Sequence, residues 1–303
     1  MKEIRLAVAG VGNCASALVQ GVEYYRDVEE NSKVPGLMHV NFGGYHIRDI
    51  KFVAAFDVNR RKIGRDLGEA IFVANSCAEF AELPKLGVEV LAGPVLDGVA
   101  PHMKKAFNCN LKDDAASVDV AETLKKAKAD MLVNFLPVGS HKATRYYARA
   151  AIEANCAFVN CIPEFIASDE GWAERFRKNK LPVAGDDIKS QLGATILHRN
   201  LVKLCVDRGV DIEETYQLNL GGNTDFLNMT VEDRLKTKRV SKTEAVTSLV
   251  PYRVPTRIGP SDYVPFLGDR KICYITIKGH KFGNQPVNVT AKLEVQDSPN
   301  SAG

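Results

Sequence analysis

Paired acids followed by a lysine, Asp186-Asp187-Ile188-Lys189-Ser190, directly follow a short apolar segment, Leu181-Pro182-Val183-Ala184, that reads as a strand. At the carboxyl end of a strand such groups are placed for proton transfer, although an N-cap aspartate with a solvated lysine gives the same pattern. Polar residues are dense again in Gly221-Gly222-Asn223-Thr224-Asp225-Phe226-Leu227-Asn228, where two glycines end a strand and set Asn223 near Asp225. Two more such runs follow, Lys236-Thr237-Lys238-Arg239-Val240-Ser241-Lys242-Thr243-Glu244 and Gly259-Pro260-Ser261-Asp262 with Asp269-Arg270-Lys271 after it. Ser241-x-x-Glu244 ahead of Ala245-Val246 has the form of a capping box, which predicts a helix beginning at Lys242. A cation in a first turn opposes the helix dipole, so a lysine there makes sense beside an anion. Free N–H groups with Lys242 and Lys238 would form a phosphate site; a solvated basic run is the plain alternative.

A second kind of chemistry is written at the start of the chain. The run Ile4-Arg5-Leu6-Ala7-Val8-Ala9 ends in Gly10-Val11-Gly12-Asn13-Cys14-Ala15, and the apolar period then changes from strand to helix. Gly10 and Gly12 let the backbone approach a phosphate, the following helix aims free N–H groups at it, and Ala15 completes G-x-G-x-x-A. Asp57, ending Ile50-Lys51-Phe52-Val53-Ala54-Ala55-Phe56, is the acid expected to hold ribose hydroxyls, later than the usual spacing of about 20 residues. An insertion, Asn31 to Asp49, accounts for the delay. Arg60 and Arg61 leave NAD versus NADP open.

The elements that must position these residues alternate for the first 190 positions. A helix is expected over Arg60–Phe72, a short strand at Val88-Glu89-Val90-Leu91, and a helix over Ala121–Ala129. A strand follows at Met131–Leu136, a helix over Thr144–Ala154 with Ser140 as N-cap, and a strand at Ala157–Asn160. Near-continuous apolar strands belong to parallel sheets covered on both faces, so the reading is α/β: a doubly wound parallel sheet, Rossmann-like. Ligands of such sheets sit at the carboxyl ends of the strands, which is where Gly10 to Ala15, Asp57, Pro137 to Ser140 and Asn160 all fall. After a helix over Gln191–Asp207 the pattern changes to long, partly alternating strands, Glu214–Leu220, Ile272–Lys278 and Val287–Val295. These suit a second α+β domain on a mixed, open-faced sheet whose exposed face serves as a subunit interface. The domains are read as 1–190 and 191–303.

Composition narrows the partners. The 303 residues are 45% hydrophobic and 25% charged, with a formal net charge of +3, and the lysines and arginines are scattered. That gives no electrostatic footprint for nucleic acid or a membrane surface. No apolar run approaches the roughly 20 residues of a membrane span, and the first residues enter a strand rather than a signal peptide. Seven cysteines without C-x-x-C spacing point to the reducing cytoplasm, and six dispersed histidines give no zinc pattern.

Taken together, Gly10 to Ala15, Gly185-Asp186-Asp187-Ile188-Lys189-Ser190, Asn219-Leu220-Gly221-Gly222-Asn223-Thr224-Asp225, Ser241-Lys242 and Asp297-Ser298-Pro299-Asn300-Ser301-Ala302-Gly303 resemble the myo-inositol-1-phosphate synthase family in its compact bacterial form, in the same order along essentially the whole chain. The resemblance implies conversion of glucose 6-phosphate to inositol phosphate by oxidation at C5 with NAD, enolisation, aldol closure onto C1, and reduction by the same cofactor. It implies that Lys238, oriented by Asp187, moves the proton of the C5 hydroxyl, that Lys242 binds the phosphate, and that Lys271 is the cation near C1. Ser190, Asn223, Asp225 and Lys189 match substrate-pocket positions. Gly10, Gly12, Asn13, Cys14, Ala15, Asp57, Pro137, Ser140, Asn160 and Asp297 match positions around the cofactor. Asp225 and Asp297 could also hold a mono- or divalent cation, and the family precedent is a homotetramer built through the second domain. Family members continue past the position of Gly303 with a further active-site lysine, so the expectation is a chain that keeps the framework and is impaired in catalysis. An NAD-dependent dehydrogenase of a small phosphorylated or polyol substrate, and a non-catalytic NAD-binding oligomer, are the alternatives.

Overall fold

The computed structural model describes residues 3–109, 117–231 and 236–303, except for the side chains of 236–241 and 260–261. The described chain falls into two compact units. One runs up to Ile188 and takes in Ala302 and Gly303; the other is Lys189–Ser301.

The first unit contains β1 (Ile4–Ala9), α1 (Asn13–Tyr24), β2 (Asn41–Phe42), β3 (Tyr45–His46), β4 (Ile50–Asp57), α2 (Leu67–Ala70) and β5 (Val90–Ala92). Its remaining elements are α3 (Val120–Lys126), β6 (Met131–Asn134), α4 (His141–Glu153), β7 (Ala157–Asn160), α5 (Glu170–Lys178) and β8 (Val183–Ala184). Six strands form one parallel sheet in the order β5-β4-β1-β6-β7-β8. The chain starts at the centre, builds outward to β5, then crosses back to build the other half, and this reversal opens a crevice at the carboxyl ends of β1 and β6. β1 shows why its apolar run is continuous: Leu6 and Val8 pack in the cluster with Val19, Val22, Leu67 and Ile71, whereas Ala7 and Ala9 pack in the one with Leu124, Tyr147 and Phe176.

Two helix expectations need adjustment here, whereas the Asn31–Asp49 insertion is the ordered excursion expected. The helix read over Arg60–Phe72 is only α2, because Gly64 takes a φ of +82° and Asp66 caps a new start. The helix read over Thr144–Ala154 begins earlier, at His141, with Ser140 in the N-cap position. The Asn31–Asp49 excursion is ordered: it holds the β2–β3 hairpin, and the His46 ring meets the carbonyl of Val28 at 2.7 Å while accepting from the N–H of Arg48 at 3.0 Å.

The second unit comprises α6 (Ala194–Asp207), β9 (Asp211–Gly221), α7 (Thr224–Asn228), α8 (Lys236–Thr247), β10 (Thr256–Tyr263), β11 (Arg270–Lys281), β12 (Gln285–Gln296) and α9 (Asp297–Ala302). The sheet order is β10-β9-β11-β12; β9 and β10 are parallel and the other pairs antiparallel, so the sheet is mixed. Alternation sorts its faces. Ile212, Cys273, Ile275 and Ile277 are buried in one cluster with Val202 and Cys205 of α6 and Val246 of α8, whereas Leu218 and Tyr274 are 41% and 38% exposed. The helix expected over Gln191–Asp207 starts three residues later, with Gly193 as its N-cap residue. His198 locks α6 to β9 through Thr215 at 2.7 Å and Gln217 at 3.2 Å. Burial lowers its imidazole pKa to about 4, so the ring is neutral at physiological pH. Among the described residues no helix is long and apolar enough to cross a membrane.

Asp66 ties α2 to the segment entering β5: its carboxylate accepts from the N–H groups of Gly68, Leu86, Gly87 and Val88 at 2.7–3.2 Å. Burial alone would push this carboxyl up, but the four donors hold it below the usual aspartate range. Its stabilisation is therefore complete above the unfolded pKa of about 3.9 and is lost as pH falls through the lower folded value. Asp66→Asn should cost about 1–3 kcal/mol in urea unfolding at pH 7, because an amide cannot accept all four bonds. The gap to wild type should narrow below about pH 4; a gap that does not change with acidification would remove the charge from the explanation.

Candidate active site

At the end of β1 the backbone makes the close approach that the glycine turn suggests. Gly10 has a φ of +90°, and a Cβ there would lie 2.9 Å from the carbonyl oxygen of Phe135. A Cβ on Gly12 would meet nothing within 4 Å. Gly12 is the N-cap residue of α1 and has no side chain to cap it, so open space and an uncapped helix start coincide at one place. That is the combination a pyrophosphate needs, and the residues present fit a dinucleotide. Asp57 stands beside the turn and accepts from the N–H groups of Val11 at 2.7 Å, Val58 at 2.8 Å and Asn59 at 2.7 Å. A carboxylate has about four acceptor sites, so one is left for a ribose hydroxyl. The Asn13 side chain is engaged with Ser76 in both directions, at 2.9 and 3.0 Å, which leaves its backbone N–H for a ligand. Cys14 follows it in the first turn of α1, and Ala15 is buried.

The other edge loops are held by buried polar side chains. Ser140 sits at the N-cap position of α4, yet its hydroxyl donates to the carbonyl of Pro137; Asp97 does the capping, accepting from Lys142 and Ala143 at 2.7 and 2.9 Å. Asn160 is fully buried and donates to the carbonyls of Ile162 and Glu164 and to Asp186, while accepting from Asn134 at 2.8 Å. Asp186 also takes the N–H groups of Ile166, Ala167 and Ser168 at 2.9–3.1 Å. One acid of the pair is thus spent on structure. Asp187, with a φ of +59° and its N–H on the carbonyl of Ile162 at 3.1 Å, is the other.

In the second unit the charged groups converge at one end of the sheet. Lys271 lies opposite Gly221 on β9 and Val295 on β12, and its ammonium donates to Asp297 at 2.9 Å. Both side chains are largely buried. Burial works to strip the proton from Lys271, but the charges of Asp297 and Asp225 hold its pKa above the ordinary lysine value. Lys271 is a lasting cation. Asn223 caps α7 by accepting from the N–H groups of Asp225 and Phe226 at 3.1 and 3.2 Å, and its amide reaches Asp269 at 3.2 Å and Asp297 at 3.5 Å. Gly222, just before it, leaves no room for a Cβ, which would lie 2.5 Å from Val264 O. Lys271 and Asp297 lie in a tight recess with Cys273, Asn300 and the start of α6 at Gly193 and Ala194. Ser190 approaches Ser301 at 3.2 Å, and the next residues, Gln191 and Leu192, are sewn to Asn300 by bonds of 2.9–3.1 Å. Lys189 begins this segment. Among the described residues no cluster of three His, Cys, Asp or Glu is placed to hold a metal ion.

The capping-box reading is corrected. α8 already begins at Lys236, so Ser241 and Glu244 lie inside it and Lys242 is not in its first turn. Lysine and arginine are good helix formers, and the run Lys236 to Arg239 continues the helix upstream of the supposed cap. The phosphate argument from free N–H groups at Lys242 therefore falls. What remains is electrostatic: burial pushes the Cys273 thiol up to about 11, while Lys271 and Lys242 both pull it down, so the two ammonium groups act on one point. The side chain of Lys238 lies outside the described residues.

Asp269 is a site residue to which sequence reasoning assigned no role. Only 3% exposed, it accepts from the Ser298 hydroxyl at 2.8 Å and the Ser298 N–H at 3.0 Å, and its own carbonyl takes the N–H of Asp297 at 2.9 Å. The available signal was hairpin register: Arg270 pairs with Gln296, which sets Asp269 across from Asp297.

With this geometry in view, the relatives are informative. The inositol-3-phosphate synthase of Mycolicibacterium smegmatis is 53% identical over 99% of this chain and 84% of its own length. That of Corynebacterium glutamicum gives the same figures. This chain belongs to the myo-inositol-1-phosphate synthase family. The family's sequence profile, described as Myo-inositol-1-phosphate synthase, matches residues 193–298. Among solved structures, a myo-inositol-1-phosphate synthase-related protein of Thermotoga maritima superposes with a TM-score of 0.78 at 27% identity, covering 98% of this chain and 84% of that one. Inositol-3-phosphate synthase of Caenorhabditis elegans, at 16% identity and a TM-score of 0.73 over 99% of this chain and 73% of that one, shares the fold.

Asp269→Ala should free Ser298 and Asn223 together. The expected loss is about 2–4 kcal/mol of stability in the second unit, since three buried donors lose their acceptor. Chemical unfolding followed by far-ultraviolet circular dichroism checks it, and a loss under about 0.5 kcal/mol would mean that Asp269 holds nothing.

Proposed function

We propose that this chain converts glucose 6-phosphate to a myo-inositol phosphate without net oxidation, with NAD as a recycled cofactor. The observation that carries the reading is a permanently charged lysine, Lys271, beside Asp297, Asn223 and Asp225, in a chain whose other unit ends its first strand in an open glycine turn. When bound, NAD supplies the hydride acceptor for C5 of the sugar and the donor that returns it. The N–H groups of Gly12, Asn13 and Cys14 would hold its pyrophosphate, Asp57 its ribose, and the loops at Pro137 to Ser140 and Asn160 its other end.

The remaining work belongs to the second unit and to Asp187. Lys238 and Asp187 take and return the proton of the C5 hydroxyl, which requires a lysine whose pKa is lowered toward neutrality. Lys242 binds the phosphate, with Ser190 and Lys189. Lys271 faces the oxygen on C1, where negative charge appears as the ring closes; a cation fixed in a dry pocket stabilises that charge more than the starting aldehyde. Asn223 and Asp225 position the sugar. Asp225 and Asp297 are the residues that would hold a mono- or divalent cation beside it. We further place the chain in the cytoplasm, in keeping with seven free cysteines, and propose a homotetramer through the open face that carries Leu218 and Tyr274.

Purified protein with NAD+ and glucose 6-phosphate should give inositol phosphate with no net NADH; accumulating NADH without cyclised product would instead make it a dehydrogenase. Lys271→Met should lower kcat by about 10²–10³ with NAD affinity kept. Lys238→Ala should abolish cyclisation with NAD binding intact, and retained turnover would take Lys238 out of the reaction.

A further inference from the structure

Lys62 is buried to 4% exposure next to the glycine turn, on no regular element, and is not one of the lysines assigned to the reaction. Its ammonium donates to the carbonyl of Val11 and, at 2.9 Å, to Oδ1 of Asn75. On the other side of the same residue, the N–H of Val11 donates to Asp57 at 2.7 Å. Val11 is thus clasped by opposite charges, one on each of its two flanking peptides. Asn75 is anchored in turn, its amide donating to the carbonyl of Ile71 at 2.7 Å.

The geometry has a directional consequence. In a trans peptide the C=O and the following N–H point in opposite directions. Fixing the carbonyl of Val11 on Lys62 therefore turns the N–H of Gly12 away from Lys62, at the residue where a Cβ would meet nothing within 4 Å. We propose that Lys62 is a positioning residue for the dinucleotide: by holding the Val11 carbonyl it aims the Gly12 N–H at the pyrophosphate. The proposal rests on the reading of NAD as cofactor. Burial pulls the Lys62 pKa below the ordinary lysine value; Asp57, its partner across Val11, opposes the fall and Arg61 adds to it. A neutral side chain of the same length would fill the space and leave the carbonyl of Val11 to Asn75, which already approaches it at 3.4 Å. The turn would then lose its strongest donor while its glycines stayed in place.

The test is binding to the full chain, read by calorimetry and by the ligand-induced shift in melting temperature, which compares each variant with its own free form. Lys62→Met should weaken NAD and ADP binding at least tenfold and leave adenosine unchanged, because the loss follows the pyrophosphate. With saturating NAD its kcat should stay within about threefold of wild type while KM for NAD rises. Lys62→Arg, which keeps a charged donor, should recover most of the affinity. Wild-type affinity for NAD in Lys62→Met, or an equal loss for adenosine, would overturn the proposal. Should Lys62→Met fail to fold, Asn75→Ala provides the second arm: removing one of the two acceptors that hold the ammonium should weaken ADP three- to tenfold, and unchanged ADP binding counts against the clasp. A wild-type chain that binds no NAD would reject the cofactor reading itself, whereas wild-type binding with unaltered variants rejects only the role of Lys62.

Discussion

An ammonium group taken out of water needs an anion beside it, and in the second unit that need falls on Lys271. Its position on β11, opposite Gly221 and Val295, sends the side chain inward, and Asp297 answers it at 2.9 Å. Breaking a buried pair costs about 3–5 kcal/mol, so whatever fixes Asp297 is under the same constraint. Asp297 is fixed at the junction of β12 and α9 by the carbonyl of Asp269, whose carboxylate holds Ser298 one residue on. Asn300 then ties α9 to Gln191 and Leu192, ahead of the start of α6. Residues from three parts of the chain, 191–192, 269–271 and 297–300, are joined around one charge. The pair adds little net stability against an apolar substitute, which is a reason to read it as chemistry rather than as a staple.

The first unit uses carboxylates differently, as receptors for backbone N–H groups at the sheet's carboxyl edge. Asp57 gathers three donors around the glycine turn, Asp97 two at the start of α4, and Asp186 three from the loop after β7. Each bond to a charged acceptor is worth about 1.5–3 kcal/mol, and several on one side chain make a loop rigid without regular structure. Loops at this edge must be both irregular and fixed if they are to present N–H groups to a ligand. An aspartate can join segments far apart in sequence, as Asp97 and Lys142 are, whereas a local turn cannot.

This explains which features were legible in the sequence. The parallel sheet was, because β1 and β6 are apolar on both faces and the period change at Gly10 is local. The mixed sheet was, because β9 and β11 alternate. Local signals failed where a longer element absorbed them. Ser241 and Glu244 have the spacing of a cap, yet a run of helix-forming lysines and arginine precedes them and α8 passes through. Ser140 has the right identity and position for a cap, but Asp97 arrives first with a full charge. Asp269 and Lys62 were missed for a common reason: their partners, Ser298 and Val11, are distant in the chain, and only strand register and turn geometry bring them near. Asp186 and Asp187 could not be ranked from sequence, since nothing local says that three N–H groups will claim the first of them.

The charge state of Lys271 bears on how labour is divided among the lysines. A residue that takes a proton from a hydroxyl and gives it back must hold that proton weakly, with burial or other cations to lower its pKa. Lys271 is the opposite case, since Asp297 and Asp225 outweigh its burial. It cannot cycle a proton efficiently near neutrality, but it can meet an oxygen whose charge rises and falls without exchanging a proton with it, and such a fixed positive charge needs no reorganisation at the moment the bond forms. That sets Lys271 apart from Lys238, the lysine we propose for proton transfer at C5. In the basic run of α8, Lys242 follows Lys238 at the i, i+4 spacing of neighbours on a helix face, and neighbouring positive charge is an influence that lowers a lysine pKa without requiring a deep pocket. Within the second unit, the same ion pair that fixes Lys271 as a cation therefore directs the search for the proton carrier to that run.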